Sequence, residues 1–96
     1  MLNIVIQKSE KPLKQYMATI ENKNIHFGAS GYDDYTIHKD DERKEIYIKR
    51  HSKRETWTDP MKPGFWAKHV LWSKKTIPEA IDDINKRFKN IHVTLK

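Results

Sequence analysis

The stretch "KQYMATIENKNIHFG", residues 14–28, decides how the rest of the chain is read. Tyr16, Ala18 and Ile20 alternate with Met17 and Thr19, the period of two that separates the faces of a strand. Glu21-Asn22-Lys23-Asn24 supplies turn residues, and Ile25-His26-Phe27-Gly28 follows as a short apolar run. The spacing predicts a hairpin of 14–21 with 24–28. A hairpin this short cannot bury itself, so the flanking sequence must extend and cover it.

On the N-terminal side, Leu2, Ile4 and Ile6 alternate with Asn3, Val5 and Gln7 before Lys11-Pro12 interrupts. That is a further strand. At the other end Ile91, Val93 and Leu95 alternate again as a closing strand. Between them the period changes. Asp40, Asp41 and Glu42 precede Lys49, Arg50, Lys53 and Arg54, a charge gradient that complements a helix dipole at both ends. The apolar stripe of that helix is narrow, with Ile46, Tyr47 and Arg50 on one side.

Glu55 to Gly64 reads as loop, broken by Pro60, Pro63 and Gly64. Phe65, Trp66, His69, Val70, Leu71 and Trp72 form a compact segment read as a short helix. Thr76-Ile77-Pro78-Glu79 has the form of a capping box, with proline tolerated in the first turn. Behind it Ile77, Ala80, Ile81, Ile84 and Phe88 fall at helical spacing. The order is β-β-β-α-α-α-β. The expected fold class is α+β, one domain over 1–96, with a small mainly antiparallel sheet and helices packed on one face.

Composition narrows the function. Ninety-six residues leave room for one core. Charged residues make up 33% and apolar ones 36%, yet ten aromatic residues are present, which favours a small folded core under a charged surface over disorder. No cysteine occurs, so disulfides, thiolate metal sites and cysteine nucleophiles are excluded. The start MLNIVIQKSE lacks the basic region and longer apolar stretch of a signal peptide, and no run approaches a membrane span, so a soluble intracellular chain is expected. A net charge of +6 favours polyanionic partners.

Three constellations carry candidate chemistry. "GYDDYTIHKD", residues 31–40, gathers Asp33, Asp34, His38 and Asp40, with Asp41 next. No metal-ligand spacing is recognisable in it, and aspartates in such positions commonly make Asx turns and helix caps, so no metal or cofactor is expected. His51, beside Arg50, could face Asp33 or Asp34 and supply acid/base chemistry, or simply sit as a cation at a helix C-terminus. "RKEIYIKRHSKR", residues 43–54, is the stronger signal. Arg43, Lys44, Lys49, Arg50, Lys53 and Arg54 suit phosphate contact, with Tyr47 or Trp57 for stacking, against the plainer reading of a solvated helix face. Finally Trp57, Phe65, Trp66 and Trp72 read first as core, and any that stay exposed as a protein contact.

The segments "YMATI", "NIHFGASGYDDYTIHKDDERKEIYIKRH", "RETW", "GFWAKHVLW" and "RF" resemble a family of small, largely uncharacterised proteins of large nucleocytoplasmic DNA viruses. The likeness spans about residues 16–88, and Lys62-Pro63 stands where that family has Thr-Ala. It implies a viral origin, with the virion or a viral factory in the host cytoplasm as the setting. No activity is established for that family, so no catalytic residue is carried over and no enzyme is expected. The first expectation is a minor capsid or internal virion component that binds other virion proteins through Trp57, Phe65, Trp66 and Trp72. A nucleic-acid-binding module using residues 43–54 is the alternative. A metal-dependent nuclease built on Asp33, Asp34, His38 and His51 comes third.

Overall fold

The computed structural model describes residues 2–96. Strands β1 (Leu2–Lys8), β2 (Lys14–Ile20) and β3 (Lys23–Ala29) form an antiparallel meander. The last strand, β4 (Ile91–Leu95), returns beside β1 in parallel, giving the order β3-β2-β1-β4. The predicted hairpin is present with a tighter turn. Ile20 pairs with Lys23, leaving Glu21 and Asn22 as a two-residue loop, and Glu21 adopts φ 55, a left-handed conformation common in such loops.

Register explains which face is covered. Ile4 sits opposite Ile20 and Val93, Ile6 opposite Ala18, and Ala18 opposite Ile25. Side chains alternate along each strand, so these residues share one face with Phe27, and all are buried. Asn3, Thr19, His26 and His92 fall on the other face. Only Met17, which lies between Gln7 and His26 in register, is buried there. The fold is the expected α+β arrangement with a mostly antiparallel four-stranded sheet.

Four helices connect β3 to β4: α1 (Tyr35–His38), α2 (Asp41–His51), α3 (Pro63–Trp66) and α4 (Ile77–Arg87). The first is an addition to the expected order. Its four residues are too few to show periodicity, but Asp34 caps it by accepting from the Thr36 amide and hydroxyl. Lys39 ends it at φ 55. Helix α3 runs directly into a π-helical turn, Ala67–Leu71. Phe65, Trp66, Val70 and Leu71 from this segment, and Ala80, Ile81 and Ile84 from α4, cover the sheet. Burying each large side chain contributes about 1.5–3 kcal/mol before entropy is counted.

The closing strand is held twice. The Leu2 amide bonds Asn90 O and the Lys96 amide bonds Ile6 O, so the intervening Val93 amide and carbonyl point away from β1. Asn85 on α4 takes both, its Oδ1 accepting at 2.8 Å and its Nδ2 donating at 2.9 Å. One side chain thereby substitutes for a missing neighbour strand at that edge. Among the described residues no helix is long and apolar enough to cross a membrane.

Candidate functional site

The acidic loop and the basic helix meet across a cleft of about 560 Å³. Helix α2 forms one wall with Arg43, Ile46, Tyr47, Arg50 and His51. Those positions follow i, i+3, i+4, i+7 and i+8, a single stripe along the helix. In a core helix such a stripe would be buried. Here α2 buries no residue at all.

Tyr32 and Asp33 also line the cleft, with Gly28 and Ala29 at the end of β3. Gln15 holds this loop in place by donating to Ala29 O at 2.8 Å and Tyr32 O at 3.0 Å. Gly28 adopts φ +77, and a Cβ there would come within 2.8 Å of Leu71 Cδ1. A side chain there would be strained by the positive φ and would have to displace Leu71, which favours glycine.

The position of α2 is set by its ends and by an aromatic ladder. Asp40 caps it, accepting from the Glu42 and Arg43 amides at 3.0 and 3.3 Å. Tyr47 lies parallel to Trp72 with ring centroids 4.3 Å apart, and His51 stacks on its other face at 4.2 Å. His38 packs against Trp72 at 5.3 Å. Burial, followed by the charge of Glu55, pushes the Tyr47 hydroxyl above its ordinary range, so it stays protonated. The Lys44 ammonium turns inward, donating to Ser73 O at 2.8 Å and lying 4.8 Å above the Tyr35 ring.

The six predicted basic residues therefore separate. Arg43 and Arg50 line the cleft. Lys49 and Lys53 flank Arg50 on the adjoining surface. Helix α2 ends at His51, so Lys53 and Arg54 lie in the turn beyond it and not on a helix reaching residue 54. Lys44 is committed to the interior, which removes it from the free basic face. Among the described residues, no carboxylate pairs with Arg43, Lys49, Arg50, Lys53 or Arg54. Asp33 lines the same cleft as Arg50, but it forms no ion pair with it.

The acid/base set is dispersed in the same way. Asp34 is buried and spent on capping α1. His38 Nδ1 accepts from the Asp40 amide, and its Nε2 is buried without a partner beside Trp72. His51 faces Glu55 at 3.6 Å. Among the described residues no three histidines, aspartates or glutamates converge as metal ligands would.

The four aromatic contact candidates also divide. Phe65 and Trp66 are buried, and Trp66 Nε1 donates to Pro60 O at 2.7 Å. Neither can touch a partner in the folded chain, which corrects their assignment as contact residues. Trp57 and Trp72 are half-buried. Trp57 sits at φ 56, a strained conformation for a bulky residue, and its Nε1 donates to Glu55 at 3.1 Å. The Glu55 carboxylate in turn lies over Gly64, where a Cβ would meet it at 1.8 Å.

Two features escaped sequence reasoning. Tyr32 is 73% exposed at the cleft mouth, and its place directly after Gly31 at a loop tip was the available signal. The other is a buried polar link. His69 Nε2 donates to Trp57 O at 3.0 Å, which leaves Nδ1 to accept from Arg87 Nη2 at 3.0 Å. Burial lowers the His69 pKa to about 4, outweighing the carbonyl bond that raises it, so the ring is neutral at pH 7. Eighteen residues separate this pair, and no local pattern joins them.

A family model described as a family of unknown function (DUF5754) matches residues 4–51. The chain belongs to that family. The matched half runs from within β1 to the last residue of α2 and includes the residues lining the cleft, Ala67, Leu71 and Trp72 excepted. No curated protein and no solved structure matches the chain.

Proposed function

We propose that the protein binds nucleic acid through the free cations of α2 and the turn that follows it. The carrying observation is that, among the described residues, Arg43, Lys49 and Arg50 on α2 and Lys53 and Arg54 in the turn after it have no carboxylate partner. Unpaired cations clustered on one surface repel one another until an anion arrives. The likeness to proteins of large DNA viruses suggests a viral genome or transcript as the partner, in a virion or a cytoplasmic viral factory.

A salt titration tests this. Neutralising about five phosphates of a single strand gives a log–log slope near −3.5, a loss of about 100-fold in affinity between 50 and 200 mM salt. Affinity that stays level over that range would sink the reading.

Attachment to other virion proteins is a second reading. It is supported by large apolar side chains left in solvent, with Leu13 79%, Ile37 55% and Ile46 50% exposed. Cross-linking in purified particles tests it, and absence of the protein from those particles would remove it.

A further inference from the structure

The exposed tyrosine of the cleft has no role in the fold. Among the described residues the Tyr32 ring stacks on no other ring, and its backbone alone is tied, through Gln15 and the Ala29 carbonyl. The same cleft is lined by Arg43 and Arg50, seven residues apart on one helix and, among the described residues, without carboxylate partners. At 1.5 Å per residue their Cα atoms are about 10 Å apart along the axis. Ile46 and Tyr47 give the wall between them an apolar middle. Both faces of the Tyr47 ring are already occupied by Trp72 and His51. Of the two tyrosines lining the cleft, Tyr32 is therefore the one whose ring is left for a planar ligand.

We propose that this cleft holds a nucleotide unit of a single strand, the base against Tyr32 and its flanking phosphates on Arg43 and Arg50. The proposal rests on the nucleic-acid reading above and adds where and how the strand is held. The volume, about 560 Å³, lies in the range of sites that take ligands of this size. A duplex keeps its bases paired and stacked inside, with only their edges open in the grooves, so it cannot offer a free base face to Tyr32. Single strands do present such faces, and stacking on an aromatic side chain is indifferent to base identity. Asp33, next to Tyr32, carries a negative charge that holds the phosphates to the α2 side of the cleft.

Fluorescence anisotropy with three probes tests the site: a labelled ten-residue oligothymidylate, the same oligomer with abasic positions throughout, and a polyglutamate peptide of equal charge. Tyr32→Ala should weaken oligothymidylate binding about 5- to 100-fold, leave the abasic strand unaffected, and be rescued by Tyr32→Phe. The exposed Tyr32 side chain makes a folded variant the expectation, and circular dichroism checks it. Equal affinity for oligothymidylate and the abasic strand would overturn the base site while leaving the nucleic-acid reading standing. Failure of every strand to bind at low salt would overturn both. Polyglutamate binding as tight as oligothymidylate would overturn the proposal in favour of an acidic protein partner.

Discussion

Helices α2 and α4 are both eleven residues long, both begin with a side-chain cap, and both run from acidic to basic. They serve opposite ends. Helix α4 buries Ala80, Ile81 and Ile84 against the sheet, and its cations are paired within the helix, Lys86 with Asp82 at 3.0 Å and Arg87 with Asp83 at 2.9 Å. Helix α2 has no fully buried residue, Lys44 alone of its lysines and arginines turns inward, and among the described residues Arg43, Lys49 and Arg50 have no carboxylate partner. Even Glu45 and Lys49, four apart, do not pair. What separates the two is the use of the apolar stripe: one is filled by a core, the other borders an open groove. The sheet face is filled by α3, the π-turn and α4, which leaves most of the α2 surface open for binding chemistry.

That contrast breaks most directly at matched isoleucines. Ile84→Ala should cost about 3–4 kcal/mol by denaturant unfolding, because Ile84 has no exposure and the cavity cannot refill. Ile46→Ala, half exposed on α2, should cost under about 0.5 kcal/mol. Comparable losses at the two sites would show that α2 is part of the core after all.

The next effect concerns the histidine that α4 meets. His69 is neutral against Arg87, with its pKa lowered to about 4 from 6.5. Between those values the unfolded chain binds the proton and the folded chain does not. Stability is therefore complete above about pH 6.5 and falls as pH drops toward 4, by an amount on the order of 3 kcal/mol. His69→Gln should remove this slope from the urea midpoint measured against pH. A slope unchanged in the variant would mean that other groups cause it.

The smallest effect is at the cap. Asp40→Ala should cost about 1 kcal/mol and speed hydrogen exchange across α2 while leaving α4 protected. If α4 loosened equally, the two helices would be coupled, and the independence of the binding helix would fail.

Legibility followed sequence distance. The hairpin and α4 could be read because their apolar residues repeat at 2 and 3.6 within one element. Asp40 and Thr76 were readable as caps for the same local reason. The short α1 escaped, since four residues carry no period, though Asp34 before Tyr35-Thr36 was a usable signal. The site was legible only as two separate runs, one acidic and one basic. Which members face each other was hidden, because a rotation of α2 by one residue, about 100°, exchanges the lysine that turns inward with an arginine that turns out. The tryptophan-rich segment showed the same limit, as Phe65 and Trp66 differ from Trp57 and Trp72 in burial and not in chemistry.

By itself the sequence determined the strands and the two long helices with their caps, which depend on neighbours within a few residues, and through composition the absence of thiol chemistry and the surplus of positive charge. Tertiary structure decided the rest. It placed β4 parallel to β1, turned Lys44 inward, joined His69 to Arg87, and opened a cleft between Tyr32 and the two arginines. Those outcomes depend on how α3 and α4 fill the sheet face and leave α2 outside it, and packing of that kind couples residues too far apart for any local pattern to record.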